Sequence, residues 1–177
     1  MTHFAFVPAD SRLFIHASSS IHGIHTDADG VEGTLELTFR DDGSIDLDAP
    51  VAGSLRFEIS RLKSGNPLND RETERRIESR RYPLVEASVS SLALIGPGDE
   101  QGSWRYRVGG VLTLHGVTRD LDGEITMRTA DDGRGGRLVQ IWGEQVLDVR
   151  AWKIKPPNLG LIKVHPDVRV RLEATAS

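Results

Sequence analysis

The chain of 177 residues contains no cysteine. It can therefore form no disulfide bond, no thiolate metal site and no cysteine nucleophile. It also lacks any run of roughly 20 apolar residues, the length that a membrane-spanning helix needs, so no stable membrane insertion is expected. The first residues, MTHFAFVPADSRLF, do not combine a basic start with a sustained apolar core, as a secretory signal would. These absences predict a cytoplasmic protein.

An excess of positive charge is missing as well, because the formal net charge is -4. Nucleic acids select basic surfaces, so no nucleic-acid partner is expected. Charged residues make up 27% of the chain and hydrophobic residues 38%, which is typical of a soluble globular protein. Without repeats or an interdomain linker, the length predicts one domain that spans residues 1–177.

The segment from 104 to 127 alternates apolar and polar residues on both sides of Leu114-His115-Gly116. A period of two indicates half-buried β-strands, because successive side chains of a strand point to opposite faces. Glycines such as Gly109 and Gly110 allow a bulge or a sharp bend. Similar runs occur at residues 4–7, 13–18, 31–39, 54–60, 84–94, 138–149 and 168–172. About eight long strands with short polar turns predict a closed antiparallel barrel, with a β-sandwich as the alternative.

Residues 69–81, NDRETERRIESRR, are the exception to this alternation, since good helix formers predominate and Ile77 is the only apolar member. Asn69 and Glu72 resemble a capping box, and Glu72 is spaced to pair with Arg76. A helix this polar cannot lie in the core. It is predicted on the surface or across a barrel mouth. The side chains expected to contact the barrel are Leu68, Ile77 and Tyr82.

Three histidines, His16, His22 and His25, lie close together in the sequence. A metal or haem site needs imidazoles that converge on one point. His22 and His25 are an odd number of residues apart, so an uninterrupted strand would send them to opposite faces. A bulge at Gly23 would change that. A haem- or metal-binding barrel therefore stays an alternative, although no metal site and no cofactor are predicted.

A hydrolytic reaction is the second alternative for the same segment, because Ser18, Ser19 and Ser20 precede His22. Neighbours in sequence say little about geometry, however, and a catalytic serine is recognised by its position relative to a base. The chain has no G-x-S-x-G motif, the signature of one large hydrolase class, and no glycine-rich phosphate loop before a helix. No catalytic residue is predicted, and the chain is not expected to be an enzyme.

The inward-facing residues of the strands form the remaining candidate site. Eight strands can close on a packed interior or can hold one small ligand. The sequence therefore leaves open a structural or interaction module with a filled core. If the interior is a pore, the residues predicted to line it are Phe6, Leu13, Ile15, Leu35, Leu37, Leu55, Phe57, Ile59, Val85, Val89, Tyr106, Val108, Leu112, Leu147 and Trp152.

Three segments resemble one known family. Residues 108–119, VGGVLTLHGVTR, resemble the v-x-G-x-L-T-i-H-G-V-T-K/R hallmark of the YceI-like proteins. Residues 81–85, RYPLV, are similar to that family's yP-x-i step into the next strand. Residues 149–154, VRAWKI, are similar to its R-x-d-F-G-i element, with Lys153 where glycine is usual. The order and spacing agree over about residues 4–172.

This resemblance implies an extended eight-stranded antiparallel lipocalin-like barrel with an elongated apolar pore. It also implies the non-catalytic binding, carriage or sequestration of a long-chain apolar ligand, namely a polyisoprenoid, an isoprenoid quinone or a similar amphiphile. The head group would then lie at a mouth of the pore, where the candidate partners are His16, Arg81 and Lys153. An antiparallel barrel can dimerise through one wall, so a homodimer is compatible with this fold.

Overall fold

The structure, a computed structural model, describes residues 1–159 and 162–177. Eleven strands and one α-helix, α1 Pro67–Arg76, are present in these residues, together with three short 3-10 helices at Pro8–Asp10, Ile59–Arg61 and Val149–Trp152. The strands are β1 Thr2–Ala5, β2 Arg12–Ser19, β3 Gly23–Ala28, β4 Glu32–Leu37, β5 Ala52–Glu58, β6 Leu84–Pro97, β7 Ser103–Leu114, β8 Val117–Asp131, β9 Arg137–Asp148, β10 Asn158–Leu159 and β11 Ile162–Ala176.

Ten of these strands form one continuous antiparallel sheet. Their order is β1-β4-β5-β6-β7-β8-β9-β11-β2-β3, and β10 pairs with β11 outside this path. Most neighbours in the sheet are also neighbours in sequence, as expected for strands joined by short turns. The sheet curls, because long strands twist relative to one another.

The curled sheet closes at one end through hydrogen bonds between the end of β1 and the end of β11. Phe6 bridges to Ala176, and the Val7 amide donates to the Thr175 carbonyl at 2.8 Å. A ring of eight strands results at this end, which we call the closed end. Towards the other end β2 replaces β1 beside β11, and β3 forms the last edge. The backbone of Lys63 bridges to Asp27 on that edge.

The prediction of an all-β antiparallel barrel with one polar helix is confirmed. The predicted number of eight strands is too low, because the sheet has ten strands in its continuous path. The main omission is β3, which contains His25 and Asp27 and lies where the sequence suggests a polar strand end. Gly23 and the three consecutive polar residues His25, Thr26 and Asp27 leave no apolar alternation in its sequence.

The β6–β7 pair contains the bulge that the glycine pairs suggest. Its register shifts between Val89 and Ser91, opposite Gly110 and Gly109. A Cβ atom at Gly110 would overlap the carbonyl oxygen of Ser88. A side chain at this position would therefore push the two strands apart, which explains the glycine.

The helix begins earlier and ends earlier than the predicted 69–81. Asn66 is its N-cap and accepts a hydrogen bond from the Leu68 amide at 3.0 Å. Pro67 fits the first helical position, where no N–H partner is needed. The capping box expected at Asn69 does not form. Beyond Arg76 the chain turns, and Glu78 has a left-handed φ of 52°.

The contacts predicted for the helix region are partly wrong. Ile77 packs against the core as expected, but the side chain of Leu68 is exposed at 72%. Tyr82 lies edge-on to the His115 ring, with centroids 5.2 Å apart. No helix in the described part of the chain is long and apolar enough to cross a membrane.

The buried side chains form two clusters along the barrel axis. The closed-end core packs β1, β4 and the end of β11 against the middle strands, and Ile45 from the hairpin between β4 and β5 covers it. Its buried members are Phe4, Leu35, Leu37, Ile45, Tyr106, Met127, Val139, Ile141, Ala174 and Ala176. The open-end core includes Leu13, Phe57, Ile59, Val85, Leu112, Trp152 and Ile154. The barrel is therefore solid at the closed end.

Candidate ligand-binding cavity

A cavity of about 390 Å³ extends from the closed-end core towards α1. This volume lies within the roughly 300–1,000 Å³ that small-molecule sites occupy. Most of its wall is apolar. Its aliphatic and aromatic lining residues include Phe6, Leu13, Ile15, Ile24, Leu35, Leu55, Phe57, Ile59, Leu62, Ile77, Val85, Val89, Leu92, Val108, Leu112, Leu114, Leu121, Ile125, Met127, Ile141, Leu147, Val149, Trp152, Ile154, Val164, Val168, Val170 and Leu172.

Small residues on the inner faces of the strands explain why this part of the barrel is hollow. Ala17, Gly53, Ala87, Gly123 and Gly143 all line the cavity. Larger side chains at these inward positions would reach towards the axis, as the side chains of the closed-end core do. The cavity is therefore a consequence of which inward positions are small.

The structure places thirteen of the fifteen predicted pore residues on the wall of this one cavity. They are Phe6, Leu13, Ile15, Leu35, Leu55, Phe57, Ile59, Val85, Val89, Val108, Leu112, Leu147 and Trp152. Leu37 and Tyr106 do not line it. Both are buried in the closed-end core, because the inward face of a strand continues past the end of the cavity.

The wall also contains residues outside the predicted set, and two groups of them differ in their sequence signal. Val168, Val170 and Leu172 alternate on β11, and this alternation alone would have placed them on the inner face. Thr73, Arg76 and Ile77 reach the cavity from the helix segment. Ile77 is the only apolar member of that segment and was expected to contact the barrel, but nothing in a polar helix sequence shows that Thr73 and Arg76 face a cavity.

The helix supplies the cation nearest to the cavity. Arg76 lines the cavity and donates from Nε to Glu72 Oε1 at 2.7 Å. Arg75 makes two hydrogen bonds to the same carboxylate, but its side chain is 67% exposed and does not line the cavity. The predicted Glu72–Arg76 pair is confirmed. Glu72 thus fixes the Arg76 guanidinium beside the cavity.

These hydrogen bonds determine the protonation of Glu72. Bonds from Arg75 and then Arg76 favour the charged carboxylate and lower the pKa of Glu72 from 4.5 to about 2. Glu72 is therefore ionised throughout the physiological range. It holds both arginine side chains at the end of α1.

His115 connects the mouth to the β7–β8 hairpin. The turn residues His115 and Gly116 have φ values of 53° and 68°, as a two-residue hairpin of the mirror-image type requires. The His115 ring contacts Glu78 Oε2 through Nε2 at 2.7 Å and donates from Nδ1 to the Trp152 carbonyl at 2.9 Å. The segments that follow α1 and β9 are thus joined at one histidine. The hallmark motif of the sequence contributes this junction.

None of the three predicted head-group partners lies on the cavity wall. His16 points to the outer face of β2, because Ile15 and Ala17 on either side of it line the cavity. Arg81 is exposed, with its guanidinium 5.1 Å from the centre of the Tyr82 ring. Lys153 is exposed in a left-handed turn after Trp152. The polar lining residues are instead Thr26, Thr34, Ser54, Thr73, Arg76, Glu124, Glu144, Gln145 and His165.

The structure brings two of the three clustered histidines together and places the third apart from them. His16 and His25 are partners in the β2–β3 register, whereas His22 lies in the intervening turn, where its carbonyl accepts a hydrogen bond from Ser19 Oγ at 2.7 Å. The Ser19 hydroxyl therefore binds a backbone atom of His22 and not its imidazole ring. In the described part of the chain, no group of three or more His, Asp or Glu side chains could hold a metal ion.

The sequence matches the family model of the YceI-like domain over residues 5–176. No curated protein sequence matches the chain. Similar solved structures share its fold at low sequence identity. A polyisoprenoid binding domain from Saccharophagus degradans, implicated in plant cell wall breakdown, is 13% identical with a TM-score of 0.72, covering 98% of this chain and 97% of that one.

Two further structures are similar. BcnA from Burkholderia cenocepacia is 12% identical with a TM-score of 0.68, covering 94% of this chain and 96% of that one. The YCEI protein of Campylobacter jejuni is 12% identical with a TM-score of 0.59, covering 81% and 79%. At these identities the likeness concerns the fold, and the described fold extends over nearly the whole length of each of the first two.

Proposed function

Because this chain belongs to the YceI-like family, we propose that its cavity binds the apolar tail of a long-chain amphiphile, such as a polyisoprenoid or an isoprenoid quinone. The protein would carry or sequester this molecule without changing it chemically. The single observation that supports the proposal most is the hollow, mainly apolar interior of about 390 Å³. A barrel that serves only as a structural module has no need of such a space.

The energetics of tail binding fit a site without a catalytic constellation. Each buried methylene contributes roughly 0.8 kcal/mol, so one five-carbon isoprene unit contributes roughly 4 kcal/mol when fully buried. Ordering the chain and losing its free motion offset part of this gain. A few buried units are therefore enough for useful affinity, and the wall needs no specific polar contact along most of its length.

The head group of the ligand would lie at the end of the cavity that α1 borders. Arg76 is the guanidinium on the wall there, and His165 from β11 is a further polar group on the wall of the same cavity. Arg76 is close enough to Glu72 to be held in place, while its remaining N–H groups are available to an acceptor. A phosphate or a quinone carbonyl fits this environment.

The cellular setting belongs to the same proposal. We expect a cytoplasmic carrier, and we expect that any homodimer forms through one outer wall of the sheet, which leaves the cavity of each chain intact. Cell fractionation measures the first, and light scattering of the purified protein measures the second.

The test is to isolate the protein under gentle conditions and to compare its intact mass before and after denaturation. Native mass spectrometry should show an added mass that organic extraction releases as a lipid. Ligand-free protein should take up one equivalent of geranylgeraniol with saturation. Protein that carries no lipid and shows no saturable uptake would contradict the proposal, and release of a chemically altered probe would contradict its non-catalytic part.

A further inference from the structure

His16 and His25 form a close pair on the outer wall of the barrel, on the opposite face from the cavity. They are directly opposite each other in the antiparallel register of β2 and β3. Their Nδ1 atoms are 3.1 Å apart, and their ring centroids are 4.3 Å apart at an interplanar angle of 62°. The two nitrogens are therefore within hydrogen-bond distance of each other.

This separation suits a metal ion. In the metal-free pair one Nδ1 donates and the other accepts, so one lone pair is already used between the two rings. Two imidazoles on a tetrahedral Zn²⁺ have Zn–N distances of 2.0–2.1 Å, which places their nitrogens about 3.3 Å apart. The two nitrogens would separate by only about 0.2 Å, and the rings would turn so that both Nδ1 lone pairs point to the metal.

The surroundings leave room for the ring positions and for further ligands. A Cβ atom at Gly23 would lie 2.8 Å from Cε1 of His16, so the missing side chain makes space for that ring. Both histidines line an open outer groove of about 700 Å³, which Asp27 and Asp167 also line. Water or an external ligand could therefore occupy the remaining coordination positions.

We propose that His16 and His25 form a two-histidine site for a divalent transition metal of the Zn²⁺ type. Neutral imidazole is a preferred ligand of these ions. The two strands hold the ligands in place, so little conformational freedom is lost on binding. Since no group of three or more potential ligands occurs in the described residues, the metal would keep positions open to solvent. It would link β3, the edge strand, to β2.

Titration of the full-length protein with Zn²⁺ alone tests this site by calorimetry. We expect one Zn²⁺ per chain at the tightest site, and His16→Asn and His25→Asn should each weaken this binding by about tenfold or more, because each removes a ligand. His22→Asn is the matched control, since His22 belongs to the same segment but not to the pair. It should leave the affinity unchanged.

Two further readouts separate loss of the site from loss of the fold. Nitrogen NMR of the histidine rings should show Zn²⁺-induced shifts at His16 and His25, and Zn²⁺ should raise the Tm of the wild type but not of His16→Asn, because a ligand stabilises only the state that it binds. Equal affinity in wild type and both pair variants would overturn the proposal. So would ring shifts confined to the other histidines.

Discussion

Arg75 and Arg76 follow one another in α1 and both bind Glu72, but only Arg76 lines the cavity. This difference allows a matched comparison. Arg76→Gln should weaken the binding of farnesyl pyrophosphate by about tenfold or more, because a hydrogen bond to a charged group contributes roughly 1.5–3 kcal/mol. Farnesol, which lacks the phosphates, should be much less affected. Equilibrium dialysis measures both.

Arg75→Gln is the control for this comparison, since it removes the other guanidinium from Glu72 without changing the cavity wall. It should leave both affinities close to those of the wild type. If the two variants have the same affinities, or if Arg76→Gln weakens the binding of farnesyl pyrophosphate and farnesol equally, the head group lies elsewhere.

Glu72 provides a prediction for the dependence of stability on pH. Hydrogen bonds from Arg75 and Arg76 lower its folded-state pKa to about 2. A lowered pKa stabilises the fold above the unfolded value of 4.5, and this contribution is lost as the pH falls towards 2. Glu72→Gln should therefore lower the free energy of unfolding by about 0.5 kcal/mol at neutral pH. Urea unfolding at several pH values should show the wild-type advantage vanishing in acid, whereas a constant difference would contradict the assignment.

The sequence predicts which residues face the interior where apolar and polar residues alternate. It does not predict which of these residues lie at the level of the cavity. Leu55 and Phe57 alternate in β5 and both line the cavity. Tyr106 alternates equally well in β7, yet it is buried in the closed-end core. Alternation gives the inward face but not the depth along the axis. The Nδ1–Nδ1 contact of His16 and His25 depends on β3, an element that the sequence did not reveal.

At the scale of elements, the β6–β7 bulge makes a testable difference between two adjacent glycines. Gly110→Ala should lower the free energy of unfolding by about 2 kcal/mol or more, because the new Cβ would overlap backbone at Ser88. Gly109→Ala should cost much less. The atom that its Cβ would approach is the Ser91 hydroxyl at 2.6 Å, and this side chain can rotate away. Chemical unfolding of both variants measures the two effects, and equal losses would contradict this account of the bulge.

The helix shows how local sequence signals can compete. Asn69 with Glu72 looks like a capping box, but Asn66 followed by Pro67 provides the stronger start, and the Asn66 side chain caps the Leu68 amide. The end is set from outside the helix. Glu78 contacts the distant His115 and adopts a left-handed φ. No local pattern contains that contact, so the predicted end at residue 81 was wrong.

At the scale of the whole molecule, the barrel is packed with side chains at the closed end and encloses the cavity in the rest. The family motifs and the strand pattern were sufficient to predict the barrel. They could not separate a filled interior from an open one, since both have the same apolar alternation. Whether the interior is hollow depends on small inward residues such as Ala17, Gly53 and Ala87. The apolar alternation of a strand does not distinguish them from larger inward residues.

Filling this space tests the proposed carrier function. Ala87→Phe places a ring in the cavity and should weaken the binding of geranylgeraniol by more than about tenfold, because roughly 1.5–3 kcal/mol or more of tail burial is lost. The variant should keep the wild-type Tm or exceed it, as the ring enters existing space. Ala93→Phe is the control, since Ala93 is exposed on the other face of the same strand. Unchanged binding in Ala87→Phe would mean that the probe binds outside the barrel.

A crystal structure of the protein under xenon pressure tests the hollow interior most directly, because xenon enters apolar cavities that water leaves empty. We expect xenon, or the tail of a co-purified lipid, among Leu55, Leu112 and Ile125, and no xenon within the closed-end core. A structure in which these side chains meet across the axis and leave no site for xenon would contradict it.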